Sequence, residues 1–392
     1  MTENAFFFIF LREWRDRSMK IKSAVLRASG LERPYAKSQP IKIETLELDP
    51  PGYGEVLVQI KAANLCHSDL SVIDGSRPRP LPMALGHEAA GVVVEAGEGV
   101  EDLEPGDHVV CIFVPSCGQC LPCKEGRPAL CEKGAEANGN GTLINGSRRL
   151  HKGDEPIHHH LGVSAFSEYA VLSRHSLVKV DPGIPFEKAA LFGCAVITGV
   201  GAVVNTANIR LGSTVAIVGL GGVGLSALLG ASAAGASRII AVDINEAKLQ
   251  KAKELGATDT FNSRDKDVVE KIKAATNGGV DYAFETAGAV PAMEVAYAIT
   301  RRGGTTVTTG LPHPEHHFSF PQVTLTAEER TIKGSYLGSC VPQRDIPRYI
   351  ELFKQNRLPV DRLVSHIISL EEINEGFDRL ADGEAFRILV RF

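Results

Sequence analysis

The chain has 392 residues, a length at which two domains are expected rather than a single core. Hydrophobic residues make up 44% and charged residues 23% of the sequence, a composition typical of a folded globular protein. A formal net charge of −5, without any long run of Lys or Arg, excludes the basic surface on which nucleic-acid binding depends.

The N-terminal segment carries one apolar run, from Ala5 to Leu11. The run has no basic segment before it and no small-residue cleavage site after it, and it is too short to span a bilayer. We expect residues 1–20 to be an extension, with Met19 as a candidate natural start, or alternatively an amphipathic surface helix. In both cases the protein is expected to be cytoplasmic, without a membrane partner.

The first half of the chain is predicted to be rich in β-strands. From about Ile21 to Cys194, short apolar runs alternate with Gly and Pro, as in Glu55–Ala62, Gly91–Gly99 and Gly106–Phe113. Short strands at this spacing predict a barrel-like domain rather than a doubly wound sheet.

The second half alternates strands with helices, beginning with a strand, a glycine turn, a helix and a strand between Thr214 and Ile244. A helix is predicted over Glu246–Leu255, with Asn245 as its N-cap and Gly256 after its end. Further strands are predicted at Asp281–Glu285, Thr305–Thr309 and Thr331–Tyr336. This alternation predicts an α/β domain with a parallel sheet and crossover helices, after which the chain is expected to rejoin the first domain.

A glycine-rich motif opens the second half. Gly219, Gly221 and Gly224 form G-x-G-x-x-G directly after the apolar strand Val215–Val218. The first glycine permits a tight turn, the second lets backbone amides approach a pyrophosphate, and the third lets the helix pack closely. The N-terminus of that helix attracts phosphate, so the motif predicts a dinucleotide site.

An acidic residue in the next strand bears on the choice of dinucleotide. Asp243 lies nineteen residues beyond Gly224, where a carboxylate can accept hydrogen bonds from the adenosine ribose and repel a 2′-phosphate. NAD is therefore favoured over NADP, the alternative being a surface aspartate that caps a helix. Lys248 is a candidate second ribose contact, or else a solvated helix lysine.

Eight cysteines indicate metal binding rather than a disulfide framework, because four of them are closely spaced in a large chain. The four form Cys117-x-x-Cys120-x-x-Cys123-x₇-Cys131. Four thiolates complete a tetrahedral zinc without an open position, which predicts a structural site. An iron–sulfur cluster is the alternative, although the fourth ferredoxin cysteine with its following proline is missing.

A second set of metal-ligand residues is dispersed: Cys66 in NLCHSD, His87 and Glu88 in LGHEAAG, and Cys194 in FGCAVITG. Two thiolates and one imidazole are the ligands of a zinc that keeps a fourth position open for substrate. Their spacing alone does not join them, since a lone Cys194 suits a small buried hydrophobe and a lone His87 a loop histidine.

Taken together, the motifs C-H-S-D, G-H-E, the four-cysteine loop, G-C-x-x-x-T-G and G-L-G-G-V-G resemble those of the zinc-dependent alcohol dehydrogenases, a family of medium-chain dehydrogenases/reductases. The resemblance runs from about Ile21 to Phe392 and is nearest to the class I and class III forms. It implies a GroES-like β-rich catalytic domain in residues 21–195 and 338–392. It also implies an NAD-binding Rossmann domain, with a doubly wound parallel sheet, in residues 196–337.

The resemblance also implies roles for individual residues. The catalytic zinc would be bound by Cys66, His87 and Cys194, and the structural zinc by Cys117, Cys120, Cys123 and Cys131. Asp69 would orient the zinc-bound histidine, Glu88 would lie behind the metal, and Ser68 would receive the alcohol proton.

The coenzyme contacts are implied in the same way. Thr198 and Val223 would pack beside the nicotinamide, Gly222 belongs to the glycine turn, and His67 and Arg387 would contact the pyrophosphate. The implied activity is reversible hydride transfer from a zinc-bound alcohol to NAD, giving an aldehyde or ketone.

Several positions depart from the family pattern. Ser71 replaces a histidine that ends a proton relay, so an altered pH profile is expected. Class III members have acidic residues after the C-H-T-D motif and an arginine past the last structural cysteine; here the corresponding residues include Arg77, Arg79 and Ala135. These departures argue against a glutathione site, so S-(hydroxymethyl)glutathione dehydrogenase activity is the alternative function rather than the favoured one. A non-catalytic NAD-binding relative is the second alternative.

The substrate pocket is predicted to be unusually polar. Phe113 and Leu161 resemble apolar walls, but His160 and Glu136 stand where many members have Phe and Leu. With an arginine at its mouth, the pocket would suit a polar or anionic alcohol; the alternative is that the arginines are solvated. The triplet His158–His160 is either a metal site or a set of loop histidines.

A homodimer is expected from the resemblance, through edge-strand pairing near Thr305 to Leu311, with a tetramer as the alternative.

Overall fold

Residues 18–392 are described by the computed structural model, and they divide into two units, each with its own core. The first unit comprises the described residues up to Gly193 together with Val364–Phe392, and the second comprises Cys194–Leu363. Most of the predicted N-terminal extension lies outside the described residues, but Met19 and Lys20 already belong to the first strand.

The first unit is mainly β-structure, as predicted. Its strands are β1 (Met19–Leu26), β2 (Ile41–Leu48), β3 (Glu55–Asn64), β4 (Met83–Ala84), β5 (Ala89–Ala96), β6 (His108–Cys111), β7 (Leu150–Lys152), β8 (Glu155–His159), β9 (Tyr169–Ser173), β10 (Leu177–Lys179), β17 (Val364–Ile368) and β18 (Arg387–Arg391). Strands β1, β2, β7, β8 and β4 close into a barrel. The other strands form a sheet in the order β10-β6-β5-β3-β18-β17, with β9 paired to β3.

Strand β3 links the two cores of this unit. Successive side chains of a strand point to opposite faces, and here Val56 and Val58 enter one core while Leu57 enters the other. The helices of the unit are α1 (Tyr35–Ser38), α2 (His67–Ile73), α3 (Leu121–Lys124), α4 (Glu132–Asn140), α5 (Phe186–Ala189) and α13 (Ile373–Ala381). Because both faces of β3 are packed in a core, the backbone at the end of β3 is held in place. The short segment from β3 to α2 therefore begins at a rigid point.

The second unit is a parallel sheet with crossover helices. Its strands are β11 (Thr214–Val218), β12 (Arg238–Asp243), β13 (Asp259–Asn262), β14 (Val280–Glu285), β15 (Thr300–Thr308) and β16 (Thr331–Gly334). Its helices are α6 (Ala195–Gly201), α7 (Gly222–Ala233), α8 (Glu246–Glu254), α9 (Val268–Ala275), α10 (Val290–Ile299), α11 (Gln322–Ala327) and α12 (Pro342–Lys354). The order β13-β12-β11-β14-β15-β16 is the doubly wound order of a dinucleotide-binding domain, which confirms the predicted fold class.

The chain leaves the second unit later than the sequence predicted. Helix α12 belongs to the second unit, whereas the prediction returned the chain to the first domain at residue 338. The difference has a packing reason: a Cβ on Gly338 would crowd the backbone of Gly201, and buried Cys340 accepts a hydrogen bond from Asn205 at 3.2 Å.

The segment predicted to pair across a dimer does not lie at the edge of its sheet. Strand β15 is paired on both sides, with β14 and with β16, so Thr305 to Leu311 does not present a sheet edge. Within residues 18–392, the edge on this side of the sheet is β16. The sequence missed this because the strand pattern of Thr331–Gly334 carries no sign of which strand is outermost. The homodimer itself stays a prediction.

Among the described residues, no single helix is long and apolar enough to cross a membrane. One pair of helical segments with a bend between them, Phe186–Gly193 and Ala195–Ala207, has the required length and apolar composition only when the two are counted together.

Candidate active site and metal centres

The first part of the site is built where β3 gives way to α2. Cys66 is the N-cap residue of α2, in an extended conformation with φ −133° and ψ 152°. Three residues later, the carboxylate of Asp69 accepts a hydrogen bond from the backbone N–H of Cys66 at 3.2 Å. This capping interaction fixes a thiol and a carboxylate within one helical turn.

Asp69 also orients His87, which lies between β4 and β5. Its Oδ1 atom is 3.1 Å from Nδ1 of His87 and accepts a hydrogen bond from the N–H of Gly86 at 3.2 Å. Burial opposes ionisation of Asp69, but the nearby rings of His87 and His160 outweigh it and hold the pKa of Asp69 below its usual range. An ionised acceptor places the proton of His87 on Nδ1 and leaves Nε2 for a metal.

The dispersed metal-ligand residues converge. Ligand atoms of Cys66, His87, Glu88 and Cys194 all lie within 4.8 Å of one another. Cys194 follows Gly193 in the chain. Gly193 packs tightly in the first unit, since a Cβ on Gly193 would lie 2.6 Å from the carbonyl oxygen of Cys111. Nε2 of His87 is buried and has no oxygen or nitrogen partner among residues 18–392, as expected of a nitrogen that faces thiols and a metal. Two thiols and this imidazole fit zinc.

Glu88 is held by other partners. Its Oε1 atom accepts hydrogen bonds from Nδ2 of Asn64, at 3.2 Å, and from the guanidinium of Arg387. Burial raises the pKa of Glu88 to about 7, while the charge of Arg387 acts in the opposite direction. Arg387 is buried in this pair, and its predicted pyrophosphate contact stays a prediction.

The four-cysteine loop forms a second cluster. Ligand atoms of Cys117, Cys120, Cys123 and Cys131 lie within 4.8 Å of one another, and all four thiols are free of disulfides. Backbone N–H groups point at the sulfurs: Cys131 accepts from Cys117 at 3.2 Å and from Gly134 at 3.3 Å. N–H donors of this kind stabilise thiolates, so the loop fits a closed tetrahedral zinc.

The glycine motif makes the predicted turn between β11 and α7. Gly219 has φ +96°, a conformation that favours glycine, and a Cβ on Gly224 would overlap the carbonyl oxygen of Gly219. By contrast, a Cβ on Gly221 would meet nothing within 4 Å. Helix α7 begins at Gly222, so its N-terminal amides follow the turn directly.

Asp243 is tied to this turn. Its Oδ2 atom accepts from the N–H of Leu220 at 2.7 Å, and its Oδ1 atom accepts from the N–H of Asn245 at 2.9 Å. The carboxylate therefore links the ends of β11 and β12. This structural role comes in addition to the predicted contact with the adenosine ribose, which stays a prediction. Lys248 lies half-buried in the first turn of α8.

The residues predicted to flank the nicotinamide lie on packed helices. Thr198 is a buried residue of α6 and Val223 is in the first turn of α7. A Cβ on Gly199 would overlap the carbonyl oxygen of Val223, so the two helices are in close contact at this point.

Helix α2 carries the remaining predicted residues. His67 is exposed and Ser68 is half-buried, in the first two positions of the helix. The hydroxyl of Ser71 donates to the carbonyl oxygen of His67 at 2.9 Å, so it bonds back into its own helix.

The interpretation of the histidine triplet as loop histidines is wrong. His159 and His160 are buried, and each has its own partner. His159 accepts a hydrogen bond from the N–H of Arg149 at 3.1 Å, whereas Nδ1 of His160 lies 3.0 Å from Oδ1 of Asp69. The sequence marked His160 only as a polar substitution in a pocket wall, because its contact with Asp69 joins residues far apart in the chain.

Family models match two parts of the chain. A model of the alcohol dehydrogenase GroES-like domain matches residues 52–182, and a model of zinc-binding dehydrogenases matches residues 222–355.

Solved structures are similar over nearly the whole chain. An alcohol dehydrogenase zinc-binding domain protein from Burkholderia ambifaria is 38% identical, with a TM-score of 0.90, covering 96% of this chain and 99% of that chain. Benzyl alcohol dehydrogenase from Acinetobacter calcoaceticus is 34% identical, with a TM-score of 0.89 and coverage of 95% and 99%. A zinc-binding dehydrogenase from Sinorhizobium meliloti bound to NADP is 27% identical, with a TM-score of 0.78 and coverage of 95% and 100%.

Two substitutions in the glycine turn are expected to separate folding from coenzyme binding. Gly224→Ala should lower the midpoint of thermal unfolding, because overpacking against Gly219 costs about 1–3 kcal/mol. Gly221→Ala should leave that midpoint unchanged and weaken coenzyme binding, since its Cβ occupies open space on the turn. Scanning calorimetry and coenzyme titration measure the two effects, and equal destabilisation by both substitutions would contradict the packing described for this turn.

Proposed function

The chain belongs to the zinc-dependent alcohol dehydrogenase family of the medium-chain dehydrogenases/reductases, and from that premise we propose that it catalyses the reversible NAD-linked oxidation of an alcohol to an aldehyde or ketone. One observation carries the proposal. The donor atoms of Cys66, His87 and Cys194 converge on one point. Three such ligands leave a tetrahedral zinc with one position for the alcohol oxygen.

Zinc held by these residues supplies a Lewis acid that lowers the pKa of a bound alcohol toward neutrality. The residues of the chain perform the remaining tasks. Asp69 holds the ring of His87 so that Nε2 is aimed at the metal. Ser68, in the first turn of α2, is the proposed acceptor of the alcohol proton. Thr198 and Val223 are the proposed supports of the nicotinamide, which would accept the hydride of the alcohol carbon.

NAD is the proposed coenzyme. Asp243 ends β12 next to the glycine turn, and its negative charge disfavours a 2′-phosphate on the adenosine ribose. Since the relative from Sinorhizobium meliloti is bound to NADP, the two coenzymes have to be compared directly in this protein.

We further propose that the substrate carries a polar or anionic group, recognised near Arg79. Burial lowers the pKa of the His160 ring, and the positive charge of Arg79 acts in the same direction, so Arg79 is the cation proposed to face the substrate beside His160. Benzyl alcohol dehydrogenase is among the relatives, so a benzyl alcohol with and without a carboxylate is the natural matched pair of substrates.

A kinetic panel tests the proposal. The zinc-loaded protein, given NAD and a set of primary alcohols, should form reduced nicotinamide, and chelation of its zinc should abolish that activity. 4-(Hydroxymethyl)benzoate should have a higher kcat/KM than benzyl alcohol, and Arg79→Ala should remove the difference. A preference for benzyl alcohol would refute the proposed anion recognition but not the proposed alcohol oxidation. No turnover of any alcohol would refute the proposed dehydrogenase activity. Formaldehyde oxidation that depends strongly on glutathione would favour the glutathione-linked alternative.

Asp243→Asn is expected to shift the coenzyme preference. The variant loses the negative charge and keeps one acceptor oxygen, so the ratio of kcat/KM for NAD to that for NADP should fall about tenfold, or about 1.4 kcal/mol. Asp281→Asn is the matched control, because Asp281 also accepts a backbone hydrogen bond, from Thr214 at 2.7 Å, but lies outside the glycine turn. An unchanged ratio in Asp243→Asn, or an equal shift in the control, would contradict the assigned role.

A further inference from the structure

Asp69 is in contact with two histidines, and only one of them belongs to the proposed zinc ligands. Nδ1 of His160 lies 3.0 Å from Oδ1 of Asp69, the same oxygen that is 3.1 Å from Nδ1 of His87. The two atoms are close but not aligned for a hydrogen bond, so the contact is one between a carboxylate and a polar ring nitrogen. All three side chains are buried, which strengthens charge interactions among them.

His160 also restrains the ring of His87 directly. The two imidazoles meet edge to face, with ring centroids 5.4 Å apart and an angle of 89° between their planes. Phe113 contacts the same ring, at 5.5 Å and 85°. Three contacts therefore oppose rotation of the His87 ring: the carboxylate of Asp69 at Nδ1, and the rings of His160 and Phe113 against its faces and edges.

The backbone that carries His160 is itself held in place. The N–H of His160 donates to the hydroxyl of Ser164, at 3.0 Å, and to the carbonyl oxygen of Ala84, at 3.2 Å. Leu161 and Ser164 have φ angles of 52° and 54°, a conformation that residues with side chains rarely adopt. Such strain persists only where the surrounding structure imposes it. Here the strained residues come directly after His160 in the chain, so the surrounding structure holds the backbone that positions His160 beside Asp69.

We propose that His160 is a positioning residue for the catalytic metal: through Asp69 and through its ring contact, it fixes the orientation of His87 and thereby the affinity of the site for zinc. The inference rests on the zinc role of His87 in the proposed function. Outer partners of metal ligands commonly change metal affinity or activity by about 10–100-fold when they are replaced. Asp69 is one such partner, and His160 adds a second, outer support.

The rate at which a chelator removes zinc tests this proposal. In His160→Phe, one zinc equivalent should be lost about tenfold faster than from the unsubstituted protein, because the polar ring nitrogen beside Asp69 is gone. The equivalent held by the four-cysteine loop should leave at an unchanged rate, and it serves as an internal check that the variant is folded. His160→Asn restores an N–H donor near Asp69 and should recover part of the lost affinity.

His158→Asn is the matched control, since His158 is two residues away and contacts the carbonyl oxygen of Asn140 at 3.3 Å instead of Asp69. Its zinc release should equal that of the unsubstituted protein. Unchanged release from His160→Phe would overturn the proposal, as would equal acceleration in the control or an Asn variant no better than Phe. Because the readout is zinc release, the proposal can fail in an active dehydrogenase and can hold in a protein that oxidises no alcohol.

Discussion

The buried carboxylate of Asp69 is the constraint on which the catalytic site depends. A charge with no exposure to solvent is stable only where donors surround it, and Asp69 has the backbone N–H groups of Cys66 and Gly86 together with the rings of His87 and His160. Two of these partners, Cys66 and His87, are proposed metal ligands. The same hydrogen bonds that stabilise the charge therefore also assemble the ligands.

The folds around this carboxylate explain how distant residues meet. Strand β3 is buried on both faces and leads to Cys66 at the start of α2. His87 lies two residues before β5, which pairs with β3, and Gly193 packs against the end of β6 at the carbonyl of Cys111. Strand pairing thus sets the relative positions of Cys66 and His87, which their separation in the sequence does not predict.

How much could be predicted from the sequence depended on how local each feature is. The four-cysteine loop and the glycine turn follow from spacings of a few residues, since each is formed within one segment of chain. The set of Cys66, His87 and Cys194 could be joined only through family resemblance, because the three residues lie far apart in the chain and no spacing rule relates them. His160 and the outermost strand β16 were missed for the same reason: a contact with Asp69 and a place at a sheet edge are properties of the fold.

The central claim is that Cys66, His87 and Cys194 share one metal ion that is separate from the four-cysteine site. Zinc content per chain, measured by elemental analysis on the purified protein and on Cys66→Ala, His87→Ala and Cys194→Ala, tests it most directly. We expect two zinc ions in the unsubstituted protein and one in each variant, with a double replacement of Cys66 and Cys194 also retaining one. Two zinc ions in any of the three single variants would contradict the account.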